Sequence, residues 1–410
     1  MKQLHTDVAV ALTLQIAMLA ATGCLALAAP GCGGSSNPQP TATVTVTATG
    51  SPTSASPSPS PSTSRAPKTQ LVIACASGGR LNGISAISGS GQVKQLVAPS
   101  AGPIRSLAWS PDCRRLAYLQ QTTSASYAAI LRFYDAVTGS AATIDFSSEG
   151  TATRVSGFAW VGANQLVASV TTTGDTYRTN GTMWLCDVGK GTQAVVKSAT
   201  GDAVHGSNPS ASSDATTLGL VWYGHKASGS IPVRLQTYDA DTLSLKTVAS
   251  SSQVTDIDGD PFQYPLISPD GSLIAAAQTG SDPGFSVTVY PVDRSTPLKG
   301  GRYVWPTPMS WSHDGRLAFA GAPGSADWQS STIWVWTPGG GKPVRILAPT
   351  KLPITSLAWS PKASQIAYAV GRSSGLSSDL WVAGAGGSSP HLLLAKAGWP
   401  AWAQVPISFP

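Results

Sequence analysis

An all-β fold is what this sequence predicts. Three observations carry it: a composition unsuited to surface helices, Val/Ile/Thr-rich runs broken by Gly and Pro, and a long internal repeat. Charged residues make up 11% of the 410 positions, and Glu149 is the only glutamate. Surface helices draw on Glu, Lys and Arg, so this usage argues against a helical domain. Thirteen Trp accompany the strand-like runs, and aromatic and β-branched residues suit a pleated, half-buried surface. The net charge of +6 is spread along the chain, with no basic run longer than Arg114 and Arg115. That is a solvated surface; a nucleic-acid groove needs clustered basic residues.

The repeat begins near residue 69. Its core is an apolar strand, a Ser-Pro-Asp-Gly-like turn and a second apolar strand. The clearest copies are SLAWSPDCRRLAY (106–118), PLISPDGSLIAAA (265–277), PMSWSHDGRLAFA (308–320) and TSLAWSPKASQIAYA (355–369). GFAWVGANQLVAS (157–169) and SNPSASSDATTLGLV (207–221) are weaker copies. The turn serine falls at Ser110, Val161, Ser212, Ser268, Ser312, Ser360 and, in a last partial copy, Ala403. These spacings run from 43 to 56 residues, the length of one four-stranded propeller blade. The turn has a physical logic: Pro presets one dihedral, Asp or Ser bonds the nearby backbone, and Gly supplies positive φ.

A third strand follows in each copy, as in RFYDAVTG (132–139), IWVWTPGGG (333–341) and LWVAGAGG (380–387), and then a fourth, as in KPVRILAP (342–349). Trp109, Trp160, Trp311, Trp359 and Trp402 share one place on the first strand and are expected to pack between adjacent blades. The two ends are incomplete in a complementary way. Second, third and fourth strands open the repeat region at 70–76, 84–91 and 92–100, and a lone first strand around Trp402 ends it. Joining the ends completes one blade and removes the exposed sheet edges. The expectation is a seven-bladed β-propeller closed by a composite blade, with six blades if the copy at 207–221 is irregular.

The Trp-Ser-Pro-Asp-Gly turn followed by Leu/Ile-Ala-Tyr/Phe resembles the WD40-like (PD40) repeat of TolB-type β-propellers, over about residues 69–410. The resemblance implies the fold; function does not follow from it, because such propellers serve as scaffolds, receptors and enzymes. Cys113 stands where the pattern has Gly and Lys362 where it has Asp, which is expected to loosen those two turns.

Ahead of the repeat, residues 8–31 are largely apolar behind an n-region with Lys2 and His5, and residues 1–31 read as an export signal. Ala21-Thr22-Gly23-Cys24 resembles a bacterial lipobox, and Cys32 is followed by Gly33-Gly34-Ser35-Ser36 as in many lipoprotein tethers. The lipidated residue is expected to be Cys32 or Cys24. Residues 32–68 are rich in Ser, Thr and Pro, with no charge between residue 8 and Arg65. Such a segment stays unfolded and extended, reaching on the order of 100 Å at about 3.1 Å per residue. Signal, spacer and propeller together resemble surface lipoproteins of high-GC Gram-positive bacteria. That arrangement implies an outward-facing, lipid-anchored location at the cell membrane.

Candidate chemistry is sparse. No catalytic set is evident: Gly371-Arg372-Ser373-Ser374-Gly375 matches the nucleophile-elbow pattern, but it lies in a loop and not on a strand-to-helix turn. Asp256, Asp258 and Asp260 form the one acidic cluster; three alternating carboxylates are candidate Ca²⁺ ligands, though the EF-hand spacing fails. No other cofactor is implied. Cys75, Cys113 and Cys186 lack metal-ligand spacing and read as buried thiols, with one disulfide allowed by export. Propellers bind ligands at the mouth of the central channel, where first strands begin. Here that places Arg105, Arg154, His205, Gln263, Tyr264, Trp305 and Trp399. The expected function is a binding or protein-interaction module of the cell envelope, not an enzyme, with envelope proteins as partners. The alternative is a propeller enzyme or small-ligand receptor acting on saccharides or a quinone-like cofactor at the mouth.

Overall fold

A computed structural model describes residues 69–404 and 407–408, apart from 71, 79, 101, 122–128, 147–152, 173–179, 225–230, 254–261, 280–284, 294, 305–307, 324–330 and 372–377. The regular elements among the described residues are all β-strands. They form antiparallel four-strand meanders in which each strand pairs with its successor, as in the run Ile104–Trp109, Arg115–Gln121, Ala129–Asp135, Ser140–Ile144. Two sheets extend to eight strands, each joining two such meanders. The result is a β-propeller-like fold. One four-stranded sheet departs from chain order: Ala397–Trp402 lies beside Val72–Ser77, which pairs in turn with Gly83–Ser88 and Val93–Val97. A two-stranded ribbon pairs Thr69–Gln70 with Ile407–Ser408.

The turn between first and second strands is built alike in three of the copies. The Ser110, Ser212 and Ser268 hydroxyls donate to Asp112, Asp214 and Asp270 at 2.5–2.6 Å. The same oxygens accept the backbone N–H five residues on, from Arg115, Thr217 and Leu273, at 2.9–3.0 Å. Buried at 4% exposure or less, each serine replaces the water its turn backbone would otherwise need. The third residue past the serine is left-handed throughout: Gly271 and Gly315 have φ of 73° and 81°, and Cys113, Ala215 and Ala363 have 56°, 63° and 50°. The turns with Cys113 for Gly and with Lys362 for Asp thus keep the same backbone conformation. Where Lys362 replaces Asp, the Ser360 oxygen accepts the N–H groups of Ser364 and Gln365 at 3.2 and 3.0 Å. The departures are absorbed as backbone strain of about 1 kcal/mol per left-handed non-Gly residue.

Apolar packing is divided among clusters lying between neighbouring sheets. One holds Val72, Ile84, Trp109, Leu116 and Tyr118; another joins Ile73, Cys75 and Trp402 to Leu380 and Val382. The first-strand tryptophans also bond across these boundaries. Trp109, Trp160, Trp311, Trp359 and Trp402 donate their indole N–H to the carbonyls of Ala401, Ala108, Leu266, Ser310 and Ala358, at 2.8–3.2 Å. Each acceptor lies on the first strand of the preceding meander, two residues before its turn. At Ile354–Trp359 and Ala397–Trp402 two successive contacts, Trp399 to Ser356 and Trp402 to Ala358, show the neighbouring first strands side by side in the same direction.

Candidate functional site

First strands begin at or beside residues singled out above and finish at their turns. Arg105 is exposed as the second residue of Ile104–Trp109, and Arg154, half-buried, is the second residue of Thr153–Trp160. The Trp160 indole bond to Ala108 joins those two strands. His205 opens His205–Ala211; it is exposed, and its Nδ1 lies 3.5 Å from Thr182 Oγ1. Tyr264 follows Gln263 in Gln263–Ile267 and is 55% exposed. The fold thus sets these residues at a common end of their strands. Trp399 shares it in Ala397–Trp402, but its ring packs partly buried against the Val72, Trp109 and Tyr118 cluster, and its N–H donates to Ser356 Oγ at 2.9 Å. Less of Trp399 is open to a ligand than of Tyr264. Trp305 lies outside the described residues, as do Asp256, Asp258 and Asp260, Cys24 and Cys32, and residues 372–375 of the Gly-x-Ser-x-Gly match.

One feature of the first strands was not evident in the repeat. The residue four before the turn serine is left-handed at Ser106, Asn208, Tyr264 and Trp399, with φ between 50° and 53°. At these strands the pairing register slips: between Arg105 and Ala108, Ser207 and Ser210, Gln263 and Leu266, and opposite Ala74 and Ala76. A β-bulge inserts one residue and re-aims the side chains beside it. For Tyr and Trp a left-handed backbone is a true outlier, held only because surrounding packing determines it. Asn208 hints at this in the sequence, since Asn tolerates the conformation; Tyr264 and Trp399 give no such hint.

Titratable chemistry elsewhere is structural. Burial pushes the Cys75 and Cys186 thiols up to about 12. With Cys113 they are buried and free of disulfides, which is the environment of inert thiols. The Ser212 hydroxyl and the Thr216 N–H hold Asp214 below its ordinary value, and the Thr242 N–H does the same for Asp239. Both carboxylates serve turns. Among the described residues no three His, Cys, Asp or Glu side chains gather as a metal-binding group.

No protein-family model matches the chain, and no curated protein matches it either. Solved structures do. An oligogalacturonate lyase in complex with manganese aligns at a TM-score of 0.54 and 13% identity, covering 80% of this chain and 86% of that one. An oligogalacturonate lyase from Vibrio parahaemolyticus aligns at 0.52 and 14%, covering 80% and 85%. TolB from Acinetobacter baumannii aligns at 0.49 and 15%, covering 82% of this chain and 66% of the TolB chain. At such identities what is shared is the fold alone, a β-propeller-like fold.

Proposed function

We propose that this protein is a seven-bladed propeller, closed by its composite blade, that acts as a binding and protein-interaction module of the cell envelope. Export and a lipid anchor at Cys32 or Cys24, a spacer over 32–68 and partners among envelope proteins belong to the same reading. Ring closure is supported by the indole bonds that lead from Trp402 through Trp109 to Trp160 and from Trp311 through Trp359 back to Trp402. The two remaining junctions are supported by Gly157, where an added methyl would lie 3.1 Å from Asn208 Cα, and by the Ile267 N–H bonding Ser210 Oγ at 3.0 Å.

The observation that carries binding at the mouth is the exposure of Arg105, His205 and Tyr264 at one end of the first strands, with Tyr264 held in a strained backbone. Exposed aromatic and Arg side chains are the residues from which interface hot spots are drawn. The test is cross-linking and affinity capture from envelope extracts of the native host, using the full chain and an R105A/H205A/Y264A variant of unchanged melting temperature. A reproducible partner captured by the parent and lost by the variant supports the proposal; equal capture by both overturns it.

A further inference from the structure

We infer that the chain enters the domain on the turn face, so that an N-terminal anchor presents the mouth outward, away from the membrane. This rests on the anchored reading above and adds to it the polarity of display. The entry strand fixes the geometry. Thr69 and Gln70 pair with Ser408 and Ile407, and the Ala403 N–H donates to the Val72 carbonyl at 2.9 Å. Ile73 lies opposite Trp402, whereas Ser77, at the far end of the same strand, lies opposite Ala397. The chain therefore arrives at the Trp402 end of the composite sheet, the end at which every other first strand runs into its turn.

A second contact ties that entry to the neighbouring turn. The Gln404 N–H donates to the Cys113 sulfur at 3.0 Å, and Cys113 is the left-handed residue of the Ser110 turn. Arg105, His205 and Tyr264 begin their strands at the opposite end. A first strand of six residues such as Ile104–Trp109 spans roughly 20 Å, so the entry point and the mouth are separated by the thickness of the sheet. The Ser/Thr/Pro-rich segment ahead of Thr69 therefore joins the domain on the side that carries none of the exposed mouth residues. With the spacer taut or shortened, a partner of the mouth thus approaches from the side away from the bilayer.

The experiment compares two reporter cysteines in the full chain. Arg80→Cys sits in the exposed connection between Val72–Ser77 and Gly83–Ser88, at the mouth end. Val137→Cys sits in the hairpin after Ala129–Asp135, on the turn face, at a position 74% exposed. The probe is a maleimide carried on a large polyethylene glycol. In one arm an affinity tag inserted after Pro67 fixes the detergent-purified chain to beads; in the other, spacer residues 36–66 are deleted and intact cells are labelled. On beads, Val137→Cys is expected to label severalfold more slowly than Arg80→Cys, and labelling at equal rates or in the reverse order overturns the entry assignment. In cells the same ordering supports outward display, and the reverse overturns it. A chain missing from the membrane fraction would defeat the anchored reading, while the beads still decide the entry face.

Discussion

Two kinds of junction hold neighbouring first strands together, and they differ in what carries them. At Trp109, Trp160, Trp311, Trp359 and Trp402 an indole fills the gap and its N–H bonds the adjoining carbonyl. The strands His205–Ala211 and Gln263–Ile267 have Ala211 and Ile267 at that place instead. There close approach replaces bulk: Ser169 Oγ donates to the Gly206 carbonyl at 2.7 Å, and Ser210 Oγ accepts the Ile267 N–H at 3.0 Å. An added methyl on Gly157 of the adjoining first strand would lie 3.1 Å from Asn208 Cα. A wide junction needs a large amphipathic ring, and a narrow one needs small residues and short hydroxyl bonds.

The largest effect that tests this contrast is removal of an indole. Trp160, 8% exposed in its cluster, should cost about 3–5 kcal/mol on Trp160→Ala, and Trp160→Phe should cost about 1–2 through the orphaned carbonyl. Ser210→Ala at the narrow junction should cost no more than about 1–2 kcal/mol. Chemical denaturation of the three variants checks the order; a Ser210→Ala loss as large as that of Trp160→Ala would break the distinction.

A smaller effect separates the turns within each junction. Ser268→Ala removes an oxygen bonded to both Leu273 N–H and Asp270 and should lower stability by about 1–2 kcal/mol. Ser360→Ala, where Lys362 leaves no carboxylate partner, should lower it less. Thermal unfolding of the pair decides, and equal losses would mean that the carboxylate adds nothing.

Backbone strain gives a smaller shift still. Ala215→Gly relieves a φ of 63° and should gain about 0.5 kcal/mol after the entropy Gly adds to the unfolded chain. Gly315→Ala, whose added methyl meets no atom within 4 Å, should lose a similar amount. The smallest effect is acidic. Asp214 and Asp239 are held below the ordinary 3.8, so the unfolded chain binds their protons first. Their contribution is complete above that value and is lost as pH falls through the lower folded values. As far as these two groups go, melting temperature should therefore be independent of pH near neutrality and decline below about pH 4; an Asp214→Asn variant should show a shallower decline.

Much of this was legible because it is local. The Ser110, Ser212 and Ser268 turns follow from residues within five positions of one another, and the sheet that sets Ala397–Trp402 beside Val72–Ser77 followed from counting strands. The phase of the repeat also put Arg105, His205 and Tyr264 at strand starts. The left-handed bulge at Tyr264 and Trp399 was not legible, because it arises where a strand must match its partner's register and its neighbour's side chains together.

By itself, then, the sequence determined the strand order, the turn chemistry and the class of fold, all of which rest on short-range patterns repeated along the chain. Only the tertiary structure decided which carbonyl each tryptophan bonds, how far Trp399 sinks into the core and at which face Thr69 enters. Those depend on contacts such as Gln404 with Cys113, between residues that no local pattern connects. Composition and spacing describe a strand's neighbours in the chain; its neighbours in space are chosen by packing.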